Sequence, residues 1–485
     1  MTKPIDTSRR EFLRNASLLS FAGSISAPFA LNLFAINEAV AAPVYTDYKA
    51  LVCLYLAGGN DSANMILATD DPSWAGYTAA RGGNGNIGLT KANLLPITPV
   101  TPAGRTFALH PNMTGLQTLF AAGRAAFVAN VGTLIDPLAD INDYRNDTLR
   151  KPASLFSHSD QTTQWHSINR NEPNFGWGGR MGDILISSNT KPYFANMSLS
   201  GNNVFLAGQV INQYQIGSNN RAASIGGLTN LFGISNSPLG DIITNTNGTG
   251  TAHNVFERDH AAVVVRSIQA QSDLDAVLIN STVTDPDPYT NIWGGLSSNS
   301  LANQLQTVAS IIAGNASLGV KRQVFFVSMG GFDTHRDQVA SHGDLMARLA
   351  HAVKYFDDTL RNLPSGDMSS QVTLFTASDF GRTFASNGSG TDHGWGGHHF
   401  VVGGAVRGGE IYGTFPPTCV NSTDHPNLFD VGSGSLLPTT SVDQYAATLA
   451  TWFGLDATDI STVFPYMGQW QFPVDKRNLG FMNPG

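Results

Sequence analysis

Cysteine and charge are both scarce in this chain. Its two cysteines, Cys53 and Cys419, are too few for a disulfide framework in 485 residues and stand in no C-x-x-C zinc spacing. At most one long-range bridge could form. Only 13% of residues are charged, and 28 Lys and Arg face 36 Asp and Glu, a net charge of −8. That balance lacks the basic surface of a nucleic-acid binder, so nucleic acid is excluded as a partner. Long apolar runs are missing too. A mildly apolar stretch, Leu18 to Ala35, is interrupted by Pro28 and Asn32, whereas a spanning helix needs about 20 largely unbroken apolar residues, so no stable membrane span is expected in the mature chain. What remains is 42% apolar and 9% aromatic residues with 50 Gly, enough for a large core and too apolar for a disordered chain.

The N-terminus carries the most specific motif. Ser8-Arg9-Arg10-Glu11-Phe12-Leu13-Arg14 matches the twin-arginine export pattern, and Ala39-Val40-Ala41 offers a small-residue cleavage site. The expectation is an export signal over residues 1–41, the twin-arginine translocase as a partner, and a periplasmic or secreted product. Loss of four basic and three acidic groups leaves the mature chain at −9. The twin-arginine route carries folded proteins, so a metal could be inserted before export.

Beyond the signal the patterning alternates strand and helix. Ala50 to Leu56 is a continuous apolar run ending at Gly58-Gly59, as a buried strand should be. Pro111 to Ala122 has helical spacing and Ala125 to Val131 is a second buried run. Later come a helix over Leu301 to Ala313, a strand over Val324 to Ser328, and a long helix over Val339 to Leu360 with Val339, Leu345, Leu349, Val353, Phe356 and Leu360 on one stripe. Strands over Val372 to Ala377 and Phe400 to Val402 and a helix over Tyr445 to Phe453 follow. This order predicts an α/β fold with a mostly parallel sheet sandwiched by helices, as one domain over 42–485. Residues 190 to 250, rich in Asn, Ser, Thr and Gly, read as an irregular inserted cap reaching to about 290.

Ligands of an open parallel sheet bind beyond the carboxyl ends of its strands. Four segments stand there: Gly58-Gly59-Asn60-Asp61-Ser62, Gly330-Gly331-Phe332-Asp333-Thr334-His335, Ser378-Asp379-Phe380-Gly381-Arg382, and Asp392-His393-Gly394-Trp395-Gly396-Gly397-His398-His399. Each aspartate alone reads most simply as a turn former. Together, Asp61, Asp333, His335, Asp379, His393 and His398 or His399 make a candidate mononuclear or binuclear site for a hard or borderline divalent ion, with zinc, manganese, magnesium and calcium all open.

These motifs, with the export signal, resemble a bacterial family of exported proteins catalogued as a domain of unknown function, itself similar in fold to the alkaline phosphatase and sulfatase superfamily. The resemblance runs from about Tyr48 to Gly454. It implies an alkaline-phosphatase-like fold in which Asp61 is the first metal ligand, Asp333 and His335 the middle pair, Asp379 the acid after the strand, and His393 with His398 or His399 the last imidazoles. Phe380 departs from that pattern, standing where the superfamily has a histidine. The nucleophile stays open between Ser62, beside Asp61, and Ser159 or Thr162, at the start of an apparent helix. No Cys/Ser-x-Pro-x-Arg context supports a formylglycine sulfatase. Arg382 and Arg180 are the candidates to grip a tetrahedral oxyanion. The expected activity is metal-dependent hydrolysis of an anionic phosphate or sulfate ester, with non-catalytic binding or surface assembly as the alternative and metal oxidoreduction as a weaker third.

Overall fold

The computed structural model describes residues 45–82, 87–101, 104–217, 230–231, 234–235, 255–467 and 477–483, with backbone only over 230–231, 234–235 and 255–265. The export motif and its cleavage site lie outside the described residues. Contacts divide the chain into two units, one of residues 45–222 and 274–485, the other of 1–44 and 223–273. In the second unit the described parts are a strand pair, Asn230–Leu231 with Ile234–Ser235, and the helix Val255–Ile279 as far as Asp273. The central sheet and the candidate site belong to the first.

The strands of the central sheet and of the hairpin beside the site are β1 (Lys49–Ala57), β2 (Ala125–Gly132), β3 (Asn196–Ser198), β4 (Tyr214–Gln215), β5 (Arg322–Gly330), β6 (Val372–Ser378), β7 (Arg382–Ser386), β8 (Thr391–His393), β9 (Gly397–Val402), β10 (Ile411–Tyr412) and β11 (Thr440–Ser441). Among the described residues a nine-stranded sheet runs β10-β2-β9-β6-β1-β5-β3-β4, with β11 also on β2. The pairings are parallel except where β9 meets β6 and β2. β7 and β8 form a separate antiparallel hairpin. β1 sits between β5 and β6, in register from Ala50 opposite Gln323 and Val372. A strand with neighbours on both edges and helices on both faces has no wet side, hence its continuous apolar run. β3 lies inside the stretch expected as an inserted cap and extends this sheet.

Among the described residues, helices on the faces of the sheet include α1 (Thr114–Ala121), α2 (His158–Ser167), α3 (Trp177–Leu185), α4 (Ser300–Ala313), α5 (Gln338–Arg361) and α6 (Val442–Phe453). Leu51, Cys53 and Tyr55 alternate onto one face, in a core with Trp165 of α2, Trp177 and Met181 of α3, and Tyr445 and Leu449 of α6. α4 packs on β5, and α5 on α4 and α1. In α5, Leu345, Leu349, Val353, Phe356 and Leu360 are buried as their 3.6-residue period requires, while Val339, in the first turn, is 49% exposed and stands outside the stripe. Cys53 and Cys419 are both buried and free. No helix among the described residues is long and apolar enough to cross a membrane.

Candidate metal centre

The carboxyl ends of β1, β5 and β6 meet at one edge of the sheet. β1 leaves through Gly58 and Gly59, whose φ angles of +118° and +82° favour glycine. A Cβ on Gly58 would stand 2.3 Å from the Asp333 backbone nitrogen, and one on Gly59 would stand 2.4 Å from the Phe380 ring. The two glycines let the three strand ends close on one another. Asp333 follows β5 by three residues and Asp379 follows β6 directly. α2 begins at His158, and β8 ends at His393.

Three imidazoles converge on the Asp333 carboxylate. His335 Nε2 lies 3.0 Å from Asp333 Oδ1, His393 Nε2 3.4 Å from the same oxygen, and His158 Nε2 3.7 Å from Oδ2. The Nε2 atoms of His335 and His393 are 3.0 Å apart. One ligand atom from each of His158, Asp333 and His393 lies within 4.8 Å of the other two. Bonds of about 2.0–2.2 Å to a shared zinc ion would hold such atoms at about these separations.

Every ring is also fixed from behind. His158 Nδ1 is 2.6 Å from Asp379 Oδ2, His335 Nδ1 3.2 Å from Asp392 Oδ1, and His393 Nδ1 2.7 Å from the Phe156 carbonyl. Carbonyl and carboxylate oxygens accept, so each Nδ1 donates and each Nε2 is left with a lone pair. Phe156 is a bulky residue at φ +72°, a conformation that aims its carbonyl at His393. Phe380 forms an apolar floor, its ring centroid 4.7 Å from that of His158 and 4.6 Å from that of His393.

Charge is balanced unevenly. Burial would raise the Asp333 pKa, but hydrogen bonding and attraction from Arg382, with help from His335 and His158, hold it below the usual carboxylate range. Burial lowers the His393 pKa against the opposing pull of the Phe156 carbonyl, which favours the neutral ring that can act as a ligand. The Asn387 side chain leads the set of partners that hold the Asp392 pKa down.

Asp333, His335 and His393 come together as the strand-end motifs implied, and the other expected residues do not join them. Asp61 is fully buried in an ion pair, its oxygens 2.7 and 2.9 Å from Arg81 Nη1 and Nη2 and also bonded by Gln338. Asp379 stands one imidazole back: Oδ1 accepts from Tyr55 at 2.7 Å and from the Gly58 N–H at 3.0 Å, and Oδ2 takes His158. His399 lies within β9, its ring packed against Trp165 of α2 and 3.2 Å from Thr376 Oγ1, where burial pushes its pKa down to about 3. His398 is likewise buried, accepting from the Asn130 N–H at 3.1 Å.

The expected catalytic groups are also otherwise engaged. Ser62 is buried and its Oγ accepts from the His398 N–H at 2.9 Å. Ser159 is exposed in the first turn of α2, 3.3 Å from Ser157 Oγ. Thr162 Oγ1 is 2.6 Å from the Tyr55 hydroxyl. The Arg382 guanidinium has no exposed side-chain surface: it donates to Thr391, to the Gly58 carbonyl and to Asp333 Oδ1 at 2.8 Å, so it anchors Asp333. Arg180 donates to the Ser167 and Glu172 carbonyls and is not part of the cluster.

His158 is the member of the cluster that the strand-end pattern overlooks, because it comes from a helix start. Its sequence signal is the Ser157-His158-Ser159-Asp160 segment, in which the ring stands between two hydroxyls. A groove of about 900 Å³ beside α5, with His351, Lys354 and Tyr355 in its wall, shares no lining residue with the cluster.

Residues 294–464 match a family model described as Protein of unknown function (DUF1501), a span that holds Asp333, His335, Asp379 and His393 and leaves out His158. No curated relative matches the chain. Among solved structures, a Vibrio parahaemolyticus protein in the alkaline phosphatase superfamily is 9% identical at a TM-score of 0.35, covering 90% of this chain and 77% of that one. A 2-O GAG sulfatase is 10% identical at 0.29, covering 86% and 75%. An alkaline phosphatase variant is 10% identical at 0.28, covering 71% and 64%.

Proposed function

We propose that this chain is an exported, metal-dependent hydrolase of phosphate or sulfate esters, working at His158, Asp333, His335 and His393. One observation carries the reading. Imidazole lone pairs of His158 and His393 and a carboxylate oxygen of Asp333 lie within 4.8 Å of one another, the His335 lone pair stands 3.0 Å from His393 Nε2 and from Asp333 Oδ1, and every Nδ1 is already engaged. Such an arrangement is repulsive by itself and becomes favourable around a cation. Imidazole nitrogens with one carboxylate oxygen suit zinc better than manganese, magnesium or calcium, which prefer oxygen ligands. A divalent ion bound there supplies a Lewis acid and lowers the pKa of a coordinated water. The chain's own residues hold that centre rigid: Arg382 and Gly58 fix Asp333, and Asp379, Asp392 and Phe156 fix the rings. With Ser62 buried and bonded, water is the better candidate nucleophile than that hydroxyl.

The ester class and export rest on the sequence motifs. Protein supplied with zinc or manganese should hydrolyse at least one aryl phosphate, phosphodiester or aryl sulfate, with activity lost to chelator and restored by metal. Metal bound at one per chain with no turnover of any of these would instead favour binding without catalysis. That second reading has its own support, since the Arg382 donors are already used and are not free to grip an oxyanion. Export is tested separately by Arg9→Lys with Arg10→Lys, which should leave the precursor uncleaved in the cytoplasm.

A further inference from the structure

We infer that Tyr55 and Asp379 are positioning residues that set the ligand state of His158 through a directed chain of hydrogen bonds from Thr162. The inference rests on the metal reading above and adds to it two groups that touch no metal.

Chemistry fixes the direction of the chain. Asp379 can only accept, so the single Tyr55 phenol proton goes to Asp379 Oδ1 at 2.7 Å. Thr162 Oγ1, 2.6 Å from the Tyr55 oxygen, must then donate to it. The other Asp379 oxygen takes the Nδ1 proton of His158 at 2.6 Å, which leaves His158 Nε2 bare and turned toward Asp333. Burial, followed by the Asp379 charge, pushes the Tyr55 pKa well above its ordinary value, so the phenol keeps the proton it donates.

The parts are held where this chain needs them. His158 and Thr162 are four residues apart in α2 and share one face of it. The Tyr55 ring, 6% exposed, stacks on Phe326 at 5.8 Å and meets His166 edge-on at 4.9 Å. Asp379 takes a third bond from the Gly58 N–H. The central strand of the sheet therefore sets the angle of an imidazole carried by a helix. A carboxylate behind a ligating imidazole fixes its tautomer and raises its basicity, and losing such a partner typically costs about 10- to 100-fold in metal affinity.

The test is Co²⁺ titration of the full-length protein, followed by the visible absorption of the bound ion. Tyr55→Phe deletes one oxygen and should raise the Co²⁺ dissociation constant about tenfold and shift the band; Asp379→Asn should raise it further, toward about 100-fold. Tyr48→Phe is the control. Tyr48 is also buried, at the start of the same strand region, and its hydroxyl donates to Gln323 Oε1 at 2.6 Å. It should lose stability of the same order as Tyr55→Phe and leave Co²⁺ affinity unchanged. Equal affinity in Tyr55→Phe and the parent, or an equal loss in Tyr48→Phe, overturns the positioning role. If the parent itself binds no Co²⁺, the metal reading fails first and the positioning role falls with it.

Discussion

Asp61 and Asp333 occupy equivalent places in the sequence, each a few residues past the end of a central strand after a Gly-Gly pair, and the fold uses them in opposite ways. Asp61 is sealed, both oxygens taken by Arg81, while the Asp333 side chain stays 46% exposed with three imidazole nitrogens around it. Each has a guanidinium. The difference is what else arrives. Arg81 reaches Asp61 with both of its terminal nitrogens and a glutamine adds a third bond, so most of the acceptor capacity of a fully buried carboxylate is taken. Arg382 gives Asp333 one nitrogen, Nη1, which also bonds the Gly58 carbonyl, and spends Nε and Nη2 on Thr391. An aspartate at a strand end becomes structural or functional according to how many of its lone pairs the interior consumes.

The largest expected effect lies on the Asp61 side. Arg81→Ala leaves a buried carboxylate without its partner, which costs about 3–5 kcal/mol in folding stability. His393→Ala should do the converse: metal affinity falls by tenfold or more, while the metal-free protein stays within about 1 kcal/mol of the parent, because the side chain is partly exposed. Urea unfolding in chelator, set beside metal titration of the same samples, reads both. If Arg81→Ala, where it still folds, loses metal as strongly as His393→Ala does, the two regions are one site and the contrast is wrong.

The same contrast has a pH dependence. Burial would raise the Asp61 pKa, but the attraction and hydrogen bonds of Arg81 outweigh it, so the folded value lies below the unfolded one. Stability from this carboxylate is then fully present above about pH 4 and is lost as pH falls through the folded value. Asp61→Asn cannot draw on that charge at any pH. The stability gap between the parent and Asp61→Asn should be widest at about pH 7 and should narrow as pH falls below about 4. A gap that widens toward acid would mean the pair does not hold Asp61 ionised.

The fold was largely legible, because β1, β5 and β6 are continuous apolar runs and α5 keeps a helical period over most of its length. β3 was not. Three residues in an Asn- and Ser-rich stretch have no period to read, and they become a strand only because β5 offers an open edge. In the site, Asp333, His335 and His393 were legible as histidines and an aspartate crowded at strand ends. Asp61 misled because the residue that neutralises it lies 20 positions away in another element, a distance at which spacing carries no signal. Asp379 was placed at the correct edge in the wrong layer, since only the three-dimensional arrangement shows His158 standing between it and Asp333. His399 shared its motif with His393 but falls within β9, whose side chains face the core.

The smallest effects concern the serines, and they decide whether a hydroxyl belongs to the site at all. Ser62→Ala removes one buried acceptor from the His398 N–H and should cost about 1 kcal/mol. Ser159→Ala alters an exposed position in the first turn of α2 and should stay within about 0.5 kcal/mol. Neither serine is bonded to Asp333, His335 or His393, so metal affinity should be unchanged in both. If water is the nucleophile, turnover of an aryl phosphate or sulfate should also survive both substitutions within a few-fold. Should Ser159→Ala alone abolish turnover while metal stays bound, the nucleophile is the α2 hydroxyl. The His158 ring next to it would then be both a ligand and the element that brings the attacking oxygen to the metal.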